Sequence, residues 1–194
     1  MRVVVAITGA TGAIFGVRIL EMLAAADVET HLCISRWGQR TLEHETGLSV
    51  AEVRALASHV HGPNDQSAPI SSGSFITEGM IIAPCSMRTL AAISYGLTDN
   101  LVARAAEVTL KERRRLVLMT REAPLTEVHL ENMLRITRMG GVISPPMPAF
   151  YAHPIDLADL VDHIAVRALD QLGVHLEAMP RWSGEMRARV STDG

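Results

Sequence analysis

Short runs of apolar residues alternate with longer stretches of helical period from one end of this chain to the other. No other feature limits the possible folds as much. Val3-Val4-Val5-Ala6-Ile7 is an unbroken, mostly β-branched run, the signature of a strand buried on both faces. A Gly-rich turn follows, Thr8-Gly9-Ala10-Thr11-Gly12-Ala13, and then Ile14, Val17, Leu20, Leu23 and Ala24 recur at helical spacing. The pattern repeats. Strands are expected at Val28–Ile34, Met80–Ala83 (ending at Pro84), Leu116–Met119 and Val142–Ile143. Helices are expected around Trp37–Glu45, Val50–Ser58, Leu90–Ile93, Leu101–Leu110, Val128–Met139 and Leu157–Leu172. The stretch His59–Gly73 is rich in turn residues and reads as a long loop. Such alternation predicts an α/β fold, an open parallel sheet with helices on both faces. With no internal repeat and no linker, residues 1–194 read as one domain, and 173–194 as a C-terminal tail without clear periodicity.

Composition excludes several functions. Eighteen Lys and Arg against 21 Asp and Glu give a net charge of −3, which argues against a dedicated nucleic-acid binder. No apolar run approaches the ~18 residues of a membrane span. The five apolar residues after Met1-Arg2 are too few for the core of a signal peptide. Two cysteines, Cys33 and Cys85, make neither a disulfide framework nor a four-cysteine zinc site. A soluble, cytoplasmic protein is the expectation.

In open parallel sheets ligands bind at the carboxyl ends of the strands, so chemistry is sought there. The first turn offers glycines for close approach, the hydroxyls of Thr8 and Thr11, and a helix N-terminus with free N–H groups. That combination suits a phosphate cradle, or else a structural turn. Gly9, Gly12 and Gly16 are not spaced as G-x-G-x-x-G, and Ser35-Arg36 stands where a dinucleotide site usually carries an acid. The Arg leaves room for an NADP-dependent reductase. A reductase with Tyr four residues before Lys is disfavoured, because the single lysine, Lys111, has Glu107 at that position. After the third long strand, Ser86 and Thr89 place hydroxyls at a helix start. Cys85 reads as buried and structural, since no His lies nearby in sequence to activate it. The next strand ends in Thr120-Arg121-Glu122-Ala123-Pro124. A charged pair at a strand end, locked by a proline, is unusual for a surface turn: Arg121 can hold a phosphate bidentately and Glu122 can move protons, with a surface ion pair as the alternative. Arg104 and Lys111 share a helix face, Arg167 lies between apolar residues of the last helix and needs a partner, and Glu45 by itself reads as solvated. His59 and His61, with Asp65 nearby, allow a metal site, but a solvated loop is favoured. His129 and Glu131 read as structural. No HExxH or aspartate-rich metal motif is present.

These pieces together resemble one family. TGATGA, ISR, PCS-x-x-TL, the run RAAEVTLKERRRLVL-x-x-REAPL, HLENML and PPMPAFY are similar to the UbiX/PAD family of flavin prenyltransferases over about Arg2 to Trp182. ISSGSFITEGMII, PPMPAFYAHP and DQLG are closest to the phenolic acid decarboxylase branch of that family. The resemblance implies a flavodoxin-like Rossmann sheet. It implies transfer of a dimethylallyl group from dimethylallyl monophosphate to N5 and C6 of reduced FMN without a metal, and delivery of the prenylated flavin to a UbiD-type decarboxylase. By motif, Gly9, Ala10, Thr11, Ser35, Ser86, Met87, Arg88, Thr89 and Arg121 match FMN-binding positions, with Arg104 a further cation beside the flavin. Lys111, Arg121, Glu122, Tyr151, Arg167 and Trp182 match positions around the dimethylallyl phosphate. Glu122, Thr11, Glu45 and Lys111 match catalytic positions, Glu122 as acid/base and Glu45 as a second carboxylate near the prenyl group. Trp182 matches an aromatic of a tail that closes on the site. Thr11 stands where serine is common, and Arg36 where lysine is usual. A homo-oligomer, a dodecamer of trimers, is implied as well. Two rivals remain: a flavin-dependent acid decarboxylase, and a non-catalytic protein that delivers flavin to one.

Overall fold

Among the described residues six strands form one sheet, built around three whose residues are apolar and buried on both faces. The six are β1 (Arg2–Ile7), β2 (Glu29–Ile34), β3 (His59–His61), β4 (Gly79–Cys85), β5 (Arg115–Thr120) and β6 (Val142–Ile143). The computed structural model describes residues 1–177 together with Met179, Arg181, Trp182 and Gly184; the rest of the expected tail lies outside the described residues. The strand order is β3-β2-β1-β4-β5-β6, and all five pairings are parallel. This is the doubly wound order, and without the short edge strand β3 it is the flavodoxin order.

Among the described residues seven helices cover the sheet: α1 (Ala13–Ala25), α2 (Arg36–Thr46), α3 (Val50–Arg54), α4 (Met87–Ser94), α5 (Leu101–Lys111), α6 (Glu127–Arg138) and α7 (Leu157–Leu172). The period of two along each strand separates two cores. Val3, Val5, Ile7, Ile81 and Val117 pack with α1 and α7 on one face. Val4, Ala6, Met80, Ile82 and Leu118 pack with α4 and α5 on the other. Every residue of β4 is buried, which is why its run reads so clearly in the sequence.

The expected loop at 59–73 is corrected at its start. His59–His61 pairs with β2, His31 opposite His59, and Pro69–Ser71 makes a 3₁₀ turn. Val60 is the only apolar residue of β3, so no alternation betrays it. The helix expected to run to Ser58 stops at Arg54. β4 runs through Pro84 to Cys85, across a register shift against β5.

α1 lies directly on the strands, and Gly16 allows it. A Cβ at Gly16 would overlap the Ala83 carbonyl oxygen and stand 2.8 Å from Ile7 Cγ1. Gly16→Ala is therefore expected to cost about 3 kcal/mol or more and to lower the thermal midpoint by roughly 6–12 °C. Gly47 has a positive φ of 71° but nothing within 4 Å of a built Cβ. Gly47→Ala is expected to lose only about 1–2 kcal/mol from its backbone conformation. Parallel thermal melts of the two variants check this ranking.

Candidate functional site

The winding of the sheet reverses between β1 and β4, and a crevice opens beyond their carboxyl ends. Thr8 closes its floor. Its hydroxyl donates to the Pro84 carbonyl at 2.8 Å and accepts from the Ser86 N–H at 2.8 Å, with 1% of the residue exposed. The sequence reading counts this hydroxyl toward an anion cradle; in the fold it is consumed in joining two strand ends. Gly9 is required on the same floor, since a Cβ there would sit 2.5 Å from Trp37 Cβ.

Two helices start at the crevice, each capped by a serine. Ser35 accepts from the Gly38 N–H at 3.0 Å at the start of α2. Ser86 accepts from the Thr89 N–H at 3.3 Å at the start of α4 and donates to Thr89 Oγ1 at 3.1 Å. Serine is favoured there because the first N–H groups of a helix have no internal partner. Between them lies a cavity of about 620 Å³. Seven expected residues line it: Gly9, Ser35, Ser86, Met87, Arg88, Thr89 and Glu122. So does Arg36, which the sequence offers as the cation of an NADP-type site, and so do Trp37, Pro63, Asn64, Asp99, Asn100 and Val102, which the sequence does not place in the site. Asn100 caps α5 by accepting from Ala103 N–H, and Pro63 is tied to α5 by the Leu101 N–H at 2.8 Å. A capping Asn before an apolar helix was the available signal.

The N-terminus of α1 is occupied by the protein itself. Gly12, at φ 98°, stands at the cap position with no side chain to offer. Glu45 supplies the missing acceptor from 33 residues away: its Oε2 accepts from Gly12 N–H at 2.8 Å and Ala13 N–H at 3.0 Å. Desolvation pushes the Glu45 pKa up, but the Thr11 hydroxyl, these two N–H groups and the charge of Arg121 outweigh it and hold the pKa below the ordinary value. Glu45 is thus not simply solvated. The end of α1, expected to receive a ligand's anion, is already neutralised by a carboxylate, which leaves the starts of α2 and α4 facing the cavity. Ala10 and Thr11 border the crevice without being among the lining residues.

β5 delivers the charged pair. Arg121 is half-buried, and its Nε is fully buried with no hydrogen-bond partner among the described residues; the same holds for Thr120 Oγ1. Buried donors without partners are rare and mark a place where an acceptor belongs. The Glu122 carboxylate is exposed to the cavity and accepts from the Ala123 N–H at 3.0 Å. A flavin mononucleotide fits this setting: its size suits the cavity, its phosphate and ring carbonyls are acceptors of the kind that Arg121 Nε lacks among the described residues, and a helix start has more N–H groups than the one its serine caps.

A second cavity, of about 240 Å³, is lined by Tyr151, His163, Val166, Arg167, Met179, Arg181 and Trp182. The Tyr151 ring meets Trp182 and His163 edge-on, each at 5.7 Å between centroids. Tyr151, Arg167 and Trp182 are thereby brought together as expected. Arg167 has its partner in Asp170 at 2.6 Å. Asp170 also accepts two bonds from Arg181, both 2.9 Å, and one from His175 at 2.9 Å. Arg181 foremost holds its pKa down to about 2, from an ordinary 3.8. A depressed carboxylate stabilises only while ionised. The clasp is therefore fully present above about pH 4 and is lost as pH falls through about 2. Trp182 emission in a Trp37→Phe background is expected to shift in that window, and in Asp170→Asn to have shifted already at neutral pH.

Lys111 and Arg104 are not brought into either cavity. Arg104 donates to the Ser71 carbonyl at 3.1 Å and pairs with Glu107 at 2.6 Å; Lys111 pairs with Glu112. For Lys111 the reason is axial. Asn100 lines the first cavity, and Lys111 lies 11 residues farther along the helix, about 16 Å at 1.5 Å per residue. His129 is structural as expected, completing the capping box of α6 with Thr126.

The chain is similar to known proteins over nearly its whole length. A family model described as Flavoprotein matches residues 1–169. A probable UbiX-like flavin prenyltransferase of Bacillus subtilis is 58% identical over 184 residues, 95% of this chain and 90% of that protein. A UbiX protein, PadA1, solved in complex with FMN and dimethylallyl pyrophosphate, superposes with a TM-score of 0.94 at 52% identity, covering 95% of this chain and 98% of that one. A dodecameric FMN-dependent UbiX-like decarboxylase of Escherichia coli O157:H7 superposes at 0.92 with 54% identity, covering 95% and 100%. With its doubly wound sheet, its crevice between β1 and β4 and this likeness across the chain, the protein belongs to the flavoprotein family and, within it, to the UbiX/PAD flavin prenyltransferases.

Proposed function

We propose that this chain transfers a dimethylallyl group from dimethylallyl monophosphate to reduced FMN and passes the prenylated flavin to a UbiD-type decarboxylase. One juxtaposition carries the reading: the unpartnered, buried Arg121 Nε stands next to a cavity-facing Glu122, in a chain 52% identical to a UbiX protein solved with both FMN and a dimethylallyl donor. Reduced FMN supplies the electron-rich ring that accepts the C5 unit. Ser35, Ser86, Met87, Arg88, Thr89 and Arg121 hold it, with Gly9 and Ala10 at the floor.

The protein's own work is to neutralise a leaving phosphate. An allylic C–O bond breaks only if the charge growing on phosphate is met, and each charge-assisted hydrogen bond contributes about 1.5–3 kcal/mol. Arg121, Arg167 and Lys111 are the cations for this, and Glu122 moves the proton. Tyr151 and Trp182 wall off the apolar group beside Arg167. Glu45 and Thr11 act by fixing the start of α1. Lys111 and Arg104 reach such a site only across a contact between protomers. Assembly is supported by the dodecameric relative and by the exposed large apolar side chains of Met147, Phe150, Ile155 and Leu157. No described helix is long and apolar enough to cross a membrane. A cytoplasmic location belongs to the same reading, as does the lack of any nucleic-acid partner.

Purified protein with FMN, a reductant and dimethylallyl monophosphate is expected to give flavin heavier by one C5 unit in mass spectrometry. A parallel arm uses the pyrophosphate, the donor held by the solved relative. No mass gain in either arm overturns the reading. A flavin-dependent decarboxylase is the second reading, favoured by the name of the Escherichia coli structure. It requires CO₂ release from an aromatic acid by this chain alone. A protein that only delivers flavin would bind FMN and form neither product.

A further inference from the structure

Away from the crevice, β2 and β3 carry a second constellation that prenyl transfer does not use. Glu29 and His31 are two apart on β2 and share a face; His59 and His61 do the same on β3. The parallel register sets His31 opposite His59 and Cys33 opposite His61. The three rings pile up, with His31 centred 4.6 Å from His59 and 5.2 Å from His61. His31 is 3% exposed, while Glu29 and His59 open to solvent. Among the described residues, Glu29, His31 and His59 are the one trio of metal-capable side chains whose ligand atoms all lie within 4.8 Å of each other.

We propose that Glu29, His31 and His59 form a binding site for a tetrahedral transition-metal ion, zinc(II) by preference, with His61 as the group that orients His31. The spacing carries this. His31 Nε2 is 3.1 Å and His59 Nε2 is 3.4 Å from Glu29 Oε1. Ligand bonds of about 2.0–2.1 Å at tetrahedral angles set neighbouring ligand atoms about 3.3–3.4 Å apart. One imidazole is held in place already. His31 Nδ1 lies 2.9 Å from His61 Nε2. With Nε2 on a metal, the Nδ1–H of His31 donates to His61, the support that ligating histidines usually have. Arg2 also binds Glu29 Oε1, at 2.9 Å. A carboxylate has about four acceptor sites, so Arg2 keeps a place on Glu29 while an ion takes another. Two imidazoles and one carboxylate leave the fourth position to water. The set is nitrogen-rich, which suits zinc and not magnesium or calcium.

Tag-free, full-length protein is titrated with zinc chloride by calorimetry and with cobalt chloride by visible absorption. The expected result is one ion per chain and the visible bands of tetrahedral cobalt(II). His59→Ala is expected to abolish both signals, and His61→Ala to weaken binding roughly 10–100-fold. His44→Ala, on α2, is expected to change neither. His59→Gln, which keeps a polar edge residue but no imidazole, serves if the alanine variant does not fold. FMN affinity is measured alongside and is expected to hold in all four. The proposal is overturned if no saturable binding of one ion per chain is seen, if the cobalt spectrum is octahedral, or if both His59 variants bind as tightly as the native chain.

Discussion

Glu122→Gln is expected to bind FMN as the native chain does and to slow prenyl transfer roughly 10²–10⁴-fold, the usual worth of a positioned acid or base. Two features make this substitution clean. Glu122 is exposed and packs into no core, so its replacement has little to disturb. Its local bond is also retained, because a glutamine Oε1 accepts from the Ala123 N–H as the carboxylate does at 3.0 Å. What is removed is the capacity to take and give a proton, together with one negative charge next to Arg121. Losing that charge does not weaken anion binding, so donor KM is expected to hold or fall while kcat drops. A rise in KM at constant kcat would reassign Glu122 to binding, and unchanged turnover would remove it from the mechanism. Glu122→Asp keeps the proton chemistry on a shorter arm and is expected to fall between. Single-turnover mass spectrometry of the flavin separates these outcomes, because it reads transfer apart from product release.

The frame of this protein is legible in its sequence where burial is complete. β1, β4 and β5 are enclosed on both faces, so their apolar runs are continuous and their ends mark the crevice. The strand-end rule then finds Gly9, Ser35, Ser86 to Thr89, and Glu122, which line one cavity. Where a structural role rests on a distant partner, local pattern is silent. Nothing around Glu45 in the sequence indicates that it caps a helix beginning at Ala13, and nothing around Thr8 indicates that its hydroxyl is spent on Pro84 and Ser86. Trp37 and Asn64 enter the cavity from one helix start and from a loop tied to another. Asn64 needs a long-range bond to be placed, Leu101 N–H to the Pro63 carbonyl. β3 escapes notice because a three-residue edge strand with one apolar side chain has no period to detect. Lys111 shows the converse. Motif likeness assigns it to phosphate, yet the rise of α5 carries it away from its own chain's cavity, and it pairs with Glu112 instead.

Arg121→Ala is the sharper probe of the site, because two opposite responses are expected from one side chain. In the unliganded chain the Arg121 Nε is buried and unpartnered, and such a donor costs about 1–3 kcal/mol. Removing it is expected to leave the thermal midpoint of FMN-free protein unchanged or higher, even though a charge that favours ionised Glu45 is lost with it. FMN binding is expected to respond the other way. Two charge-assisted bonds from a guanidinium fork are worth about 3–6 kcal/mol together, so affinity is expected to fall by 10²-fold or more, read by quenching of flavin fluorescence. Arg121→Lys keeps the charge but not the planar fork, and is expected to recover only part of the loss. If Arg121 were an ordinary structural ion-pair residue, alanine would destabilise the empty protein and leave flavin affinity nearly intact. The signs of the two effects, more than their sizes, therefore decide whether the charged pair after β5 was built for a ligand or for the fold.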